Sequence, residues 1–297
     1  MAPYECWGFT VKWQTSRFLI DLSVPKVMGI VNVTPDSFSD GGAHQTAAAA
    51  LRHCERLIHD GADILDLGGE SSRPGALPVP LEEELARVLP VVREAVKLGV
   101  PVSVDTCKPQ VMRSVLDLGA DIINDIWALR QQGAADSQSA TAVVASHPHC
   151  GVCLMHMHGE PLTMQRSPME GDVVVQVRQF LEHRVRALRD LGLAASRIVV
   201  DPGIGFGKTV AQNFALLARQ QELTVLGHPI LAGWSRKSSL AAVSGKSLGS
   251  VATLDAKDRM VASVAAALLA VERGASIVRV HDVGDTVQAL RVLSAIR

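Results

Sequence analysis

The sequence predicts an α/β fold: a (β/α)8 TIM barrel with a short N-terminal hairpin covering the barrel bottom. Three observations lead there. Short apolar runs recur along the 297-residue chain, one in each stretch of roughly 30 residues, the length of a βα unit. Amphipathic helical stretches separate them, and glycines stand where those helices should end. Such a unit repeated eight times closes naturally into a barrel, with an open doubly wound sheet as the alternative.

The elements follow in order. Residues 9–13 and 18–22 read as a hairpin within an N-terminal extension, 1–25. The apolar runs then fall at 26–33, 63–68, 100–105, 121–125, 151–155, 197–201, 229–233 and 275–280. Each is too short and too continuously apolar for a half-exposed strand, which is how a parallel strand buried on both faces reads. Between them, Val174, Val177, Leu181, Val185, Leu188 and Leu191 recur every three or four residues and make one helix face. Similar segments carry Leu116, 262–269 and 287–293. Gly61, Gly99, Gly119, Gly192 and Gly274 precede strands, where a helix end needs a left-handed residue. The stretches 130–139 and 245–257 are polar and rich in small residues, and are expected to be irregular. No linker divides 26–297, so the barrel is one domain.

Composition narrows the function. A formal net charge of −1 provides no basic field, so neither nucleic acid nor an anionic membrane is an expected partner. No apolar run of about 20 residues suggests a membrane span. The opening Met1-Ala2-Pro3-Tyr4-Glu5 has no signal-peptide pattern. Five scattered cysteines, an odd number, suit free thiols in a reducing cytoplasm.

Barrel sites lie at the C-terminal ends of the strands. There the sequence places Asn32, Glu70, Asp105, Asn124, His156, Asp201, the triplet Ser235-Arg236-Lys237, then Arg279 and His281. Polar endings on all eight strands point to a ligand site rather than to solvation alone. Asp105, Asn124 and Asp201 suit a flat heterocycle with several N–H donors, such as a 2-amino-4-oxo-pteridine. Each also has a plainer reading: a helix cap for Asp105, a buried amide bonded to backbone for Asn124, a turn-former for Asp201. Arg279 and His281 straddle Val280 and share a side of the strand, which suits a phosphate; the plainer reading is an ion pair with Asp282 or Asp285. Ser71-Ser72-Arg73-Pro74-Gly75 also suits an anion, on a loop able to close, or else is a surface loop.

Two motifs mislead. Gly203 to Thr209 ends like a P-loop, but that spacing puts Pro202 where the first glycine belongs. Cys150 and Cys153 have zinc-ligand spacing, but Cys153 falls inside an apolar strand and no second pair completes four ligands.

Longer motifs resemble the dihydropteroate synthases. Met28-Gly29-Ile30-Val31-Asn32-Val33-Thr34-Pro35-Asp36-Ser37-Phe38-Ser39-Asp40-Gly41-Gly42 is similar to that family's first signature, and Asp66-Leu67-Gly68-Gly69-Glu70-Ser71-Ser72-Arg73-Pro74-Gly75 to its second. Further matches surround Asp105, Asn124, His156, Asp201, Arg236 and His281, in the family's order. The resemblance implies condensation of 6-hydroxymethyl-7,8-dihydropterin diphosphate with 4-aminobenzoate, giving 7,8-dihydropteroate and diphosphate. It implies that Asp105, Asn124, Asp201 and Lys237 bond the pterin, in a slot lined by Met155, Phe206 and Gly233. Asn32, Ser72, Arg73, Arg279 and His281 would hold the diphosphate, Asn32 through Mg²⁺. Phe38, Ser72, Arg73, Pro74, Ser235 and Ser238 would form the aminobenzoate side. Asp36, Arg73, Lys237 and Arg279 are the expected catalytic residues, and a homodimer through the later helices, around 262–269, the expected assembly. The family usually has threonine at Ser72 and a smaller or more flexible residue at Trp234. A methyltetrahydrofolate–corrinoid methyltransferase domain would share the barrel and the pterin-facing acids but not the diphosphate ligands. A non-catalytic pterin-binding paralogue would bind without releasing diphosphate.

Overall fold

The computed structural model describes residues 12–34, 43–73, 75–133, 138–244 and 255–296. Eight parallel strands form a closed barrel: β3 (Lys26–Asn32), β4 (Ile64–Gly68), β5 (Val102–Asp105), β6 (Ile122–Asp125), β7 (Gly151–Met155), β8 (Ile198–Asp201), β9 (Ile230–Ala232) and β10 (Ala275–Val280). Each pairs with the next in sequence, and β10 closes the ring on β3, with Val278 opposite Val27. Helices α1 (Ala43–His59), α2 (Leu81–Ala95), α3 (Pro109–Asp117), α4 (Ala140–Ser146), α5 (Val173–Asp190), α6 (Val210–Ala218), α7 (Ser238–Ser244), α8 (Met260–Glu272) and α9 (Val283–Ala295) alternate with them.

The expected strands are all present, several one or two residues shorter. β5 begins at Val102 rather than at 100 because Pro101 has no N–H to give the ladder, although its carbonyl still accepts from the Leu65 amide at 3.0 Å. The five glycines expected at helix ends all have positive φ, from 79° at Gly99 to 101° at Gly61.

Below the mouth the core has two parts. A large one lies between strands and helices and includes Val31, Leu65, Val104, Leu154, Val200 and Trp234. The other fills the bottom of the lumen: Met28, Ile64, Ile122, Cys153, Val199, Leu231 and Ile277 meet there, one from each of seven strands. A hairpin of β1 (Lys12–Gln14) and β2 (Leu19–Asp21) closes that end, adding Trp13 and Ile20 to the cluster. Its expected first strand begins in residues outside those described. Trp13 donates its indole N–H to the Arg197 carbonyl at 2.9 Å. The Arg197 guanidinium in turn donates to the carbonyls of Cys150, Val144 and His147. Asp121 accepts from the Arg17 side chain and from the amides of Arg17 and Val102.

Candidate active site

The upper lumen is polar where the lower is apolar. Strand alternation sends Asp66, Asp105, Asn124, Met155, Asp201, Gly233 and Arg279 inward, because each lies an even number of residues from its strand's lumen-facing apolar residue or, for Asp105, from Ser103, which pairs with Asp66. Asn32 ends β3 with the same parity as Met28. It is half-buried and, among the described residues, no protein group bonds its side chain.

Charge is organised around Arg279. Its Nε donates to Asp66 Oδ2 at 2.6 Å and its Nη2 to Asp105 Oδ2 at 3.0 Å. The same Asp66 oxygen accepts from Asn124 Nδ2 at 3.2 Å. Asp66 is fully buried, yet its Oδ1 has no partner, and neither does the buried hydroxyl of Ser103. Burial raises the Asp105 carboxyl above the ordinary carboxylate range, against the pull of Arg279. Burial also raises Asp201, which the Gly203 amide opposes by donating to its Oδ1 at 2.7 Å.

The plainer readings can now be judged. Lys108, not Asp105, stands at the N-cap of α3. Asn124 donates to a carboxylate rather than to backbone. Asp201 does hold its turn, through one oxygen. Asp282 pairs with Arg236 at 2.6 Å, not with Arg279.

Lys237 lies over the Phe206 ring, 4.2 Å from its centroid. Burial pulls its ammonium down to about 8, with Asp201 resisting. Met155 and Phe206 cluster with Met157 and Met164, and Ile126 and Trp127 pack against them. A Cβ on Gly233 would sit 4.0 Å from Asp201 Oδ2, so glycine keeps that wall thin. The turn that presents Ser235 and Lys237 passes through Arg236 at φ 58°, a left-handed conformation costly for a side chain. Three contacts hold it: the ion pair to Asp282, the Arg236 amide to Ser263 Oγ, and Arg259 donating to the Arg236 carbonyl.

His281 Nδ1 lies 2.9 Å from Ser235 Oγ, which also accepts from the His281 amide. Burial, then Arg236 and Arg279, pull the imidazole down to about 3. It is therefore neutral in the free site. His281 also borders a cavity of about 310 Å³ lined by His53, Arg56 and the first residues of α9; His53 and Arg56 lie on α1 and carry no motif. Ser72 borders another cavity, of about 370 Å³, that reaches Asp105 and Trp127. Arg73 and Ser238 are exposed. Asp36, Phe38 and Pro74 lie outside the described residues.

Of the remaining strand ends, one borders the Ser72 cavity but is already paired, and one turns away from the mouth. Glu70 and the buried Glu84 of α2 both bind Lys108, and Thr106 donates to Glu84 at 2.7 Å. His156, one residue past Met155, has the opposite parity and packs edge-on against Phe180 of α5. Its Nδ1 accepts from Lys208 at 2.9 Å. Lys208 also donates to the carbonyls of Gly203 and Phe206, so it is tied into its own loop rather than presented to a phosphate. The glycines there admit no side chain: a Cβ would come within 1.8 Å of the His156 carbonyl at Gly203 and 2.2 Å of the His158 carbonyl at Gly207. Trp234 points outward into the strand–helix layer, against Phe214, and so does not shape the mouth.

Among the described residues no His/Cys/Asp/Glu cluster could hold a metal ion. Mg²⁺ bound chiefly through substrate phosphates and water needs only one or two protein oxygens, and the Asn32 carboxamide fits that demand.

Residues 28–281 match the family model described as pterin binding enzyme. The dihydropteroate synthase of Neisseria meningitidis serogroup B is 48% identical over 96% of this chain and 97% of its own. Among solved structures, Burkholderia cenocepacia dihydropteroate synthase complexed with 7,8-dihydropteroate is 51% identical, with a TM-score of 0.84 over 97% of both chains. The Xanthomonas albilineans enzyme with 4-aminobenzoic acid is 47% identical, with a TM-score of 0.87 over 97% of this chain and 98% of that one.

Proposed function

Because this chain belongs to the dihydropteroate synthase family of pterin-binding enzymes, we propose that it condenses 6-hydroxymethyl-7,8-dihydropterin diphosphate with 4-aminobenzoate, yielding 7,8-dihydropteroate and diphosphate. The observation that carries the residue roles is the pairing inside the lumen: planar acceptors and amides beside one guanidinium, under a methionine and phenylalanine wall. Asp105, Asn124 and Asp201 accept from and donate to the pterin edge, Lys237 donates to its carbonyl side, and Met155, Phe206 and Gly233 bound its faces.

Arg279 and His281 hold the diphosphate, with Asn32, Ser72 and Arg73 completing the anion side. The aromatic amine is a weak nucleophile, so departure of diphosphate is the difficult part. Fixed positive charge from Arg279 stabilises the leaving group as its charge grows. Asn32 would hold Mg²⁺ together with the substrate phosphates, and the ion would supply further charge neutralisation there. The electron-rich pterin supports positive charge at its methylene carbon, with Asp36 as the loop group that stabilises it. Ser235, Ser238, Ser72, Arg73, Phe38 and Pro74 form the aminobenzoate side, so pterin binds first and the amine second. Sulfonamides, which mimic that amine, then compete with aminobenzoate.

No helix among the described residues is long and apolar enough to cross a membrane. Among the described residues four cysteines are free, which supports a cytoplasmic setting. Exposed Val261 and Leu269 on α8 support a homodimer through the later helices.

The test is diphosphate release from the pterin substrate, with and without 4-aminobenzoate and Mg²⁺. Release that requires both is the expected result. Tight pterin binding without release would instead identify a binding paralogue.

A further inference from the structure

We infer that Asp66 is a positioning residue for the condensation, a pivot on which Arg279 turns from Asp105 toward the diphosphate of the pterin substrate. This rests on the roles proposed above for Asp105 and Arg279. Asp66 belongs to neither set of ligands but joins them: one of its oxygens holds both Asn124 of the pterin set and Arg279 of the diphosphate set.

The two carboxylates on Arg279 are not equivalent. The Asp66 side chain has no exposure, whereas that of Asp105 is 12% exposed at the upper end of the lumen. A pterin that takes Asp105 competes with Nη2 of Arg279, and a diphosphate attracts the same guanidinium end. Nε lies nearer the side-chain stem. Its bond to Asp66 can persist while the Nη groups change partners. Packing alone does not account for Asp66. Both oxygens of the buried Asp121 have donors, whereas Asp66 Oδ1 is orphaned beside the equally orphaned Ser103 hydroxyl on the paired residue of β5. A buried carboxylate oxygen left without a donor is costly, which fits a group kept for the site rather than for stability.

Four proteins test this: wild type, Asp66→Asn, Arg279→Lys and the double variant, each assayed for kcat, both KM values and thermal midpoint. Asp66→Asn is expected to lower kcat/KM for the pterin diphosphate on the order of ten- to a hundredfold, by analogy with removing a group that orients a metal ligand. KM for aminobenzoate should stay within about twofold. The same substitution in Arg279→Lys should cost far less, because Asp66 acts through the guanidinium. Equal losses in both backgrounds, or a lowered thermal midpoint with unchanged KM for the pterin substrate, would overturn the inference. Should Asp66→Asn fail to fold, the Arg279 Nε–H signal of wild type, assigned by its loss in Arg279→Lys, decides. It should stay hydrogen-bonded when pterin diphosphate is added, and a shift to a solvent-like position would overturn the pivot. A wild type that releases no diphosphate would instead defeat the proposed function, and the Nε–H signal would still report on Asp66.

Discussion

Asp121, just before β6 at the bottom of the barrel, and Asp66, within β4 below its mouth, are both fully buried carboxylates, and the fold treats them oppositely. Asp121 takes donors on both oxygens, from backbone and from Arg17, and stitches the hairpin to β5. Asp66 shares one oxygen between two side chains and leaves the other bare. The contrast extends to whole layers. Below, Trp13, Arg197 and a ring of apolar side chains satisfy one another within the chain. Above, burial raises Asp105 and Asp201 and lowers Lys237, and oxygens of Asp66 and Ser103 are buried without a partner. In a barrel enzyme the lower face stabilises and the upper face reacts, and here the difference is visible in individual oxygen atoms.

The largest expected effect tests the lower face. Trp13→Ala removes a fully buried indole and should destabilise the fold by about 3–5 kcal/mol. Denaturation should show the loss while KM for both substrates holds in the folded fraction. A large KM change would mean that the two ends are coupled. At the mouth, Arg279→Ala should cost about 2–4 kcal/mol in transition-state stabilisation, measured as kcat/KM. Near-normal turnover would remove Arg279 from the reaction.

The pH profile sharpens the contrast further. Asp105 must be ionised to accept from the pterin, and its pKa is raised, so kcat/KM should fall on acidification before the ordinary carboxylate range is reached. Lys237 must be protonated to donate, so the alkaline limb should come as pH rises through about 8 rather than at the usual lysine value. Lys237→Arg should move that limb upward, and a limb that does not move belongs to another group. The smallest effect is expected at Ser72→Thr. The added methyl is worth about 0.8 kcal/mol if fully buried, and should lower KM for aminobenzoate by no more than about fourfold. An unchanged value would place Ser72 outside the amine pocket.

Sequence pattern made the barrel legible because each βα unit carries its own local signals: an apolar run, a helical face and a glycine at the helix end. The hairpin was legible through Trp13 and its apolar neighbours. Strand-end chemistry located the mouth, but it did not say which parity faces inward. That depends on closure of the ring, and so His156 was expected at the mouth and lies outside it, whereas Glu70 keeps the parity of Asp66 and borders the Ser72 cavity, tied there to Lys108. Asp66 was hidden for the converse reason. It sits mid-strand, at the head of the second motif but two residues before the turn, and its importance comes from Arg279, 213 positions away. The available signal was an acidic residue inside a run that is otherwise apolar, on a strand where every position is buried. Lys208 resembles a phosphate ligand until the carbonyls of its own loop account for its ammonium.

The glycine loop after β8 bears on how this enzyme could escape inhibition. At Gly203 and Gly207 the space for a side chain is already filled by the backbone of residues 156 and 158, and both residues have φ of 67°. At Gly75, by contrast, nothing lies within 4 Å, and the neighbouring Arg73 is exposed. A compound that leans on Arg73 meets an exposed side chain that substitution can change, although Gly75 itself, at φ 80°, is held to glycine by its backbone rather than by its neighbours. One that leans on the main chain at Gly203 and Gly207 faces two positions that admit no side chain, and resistance to it would have to arise from another residue.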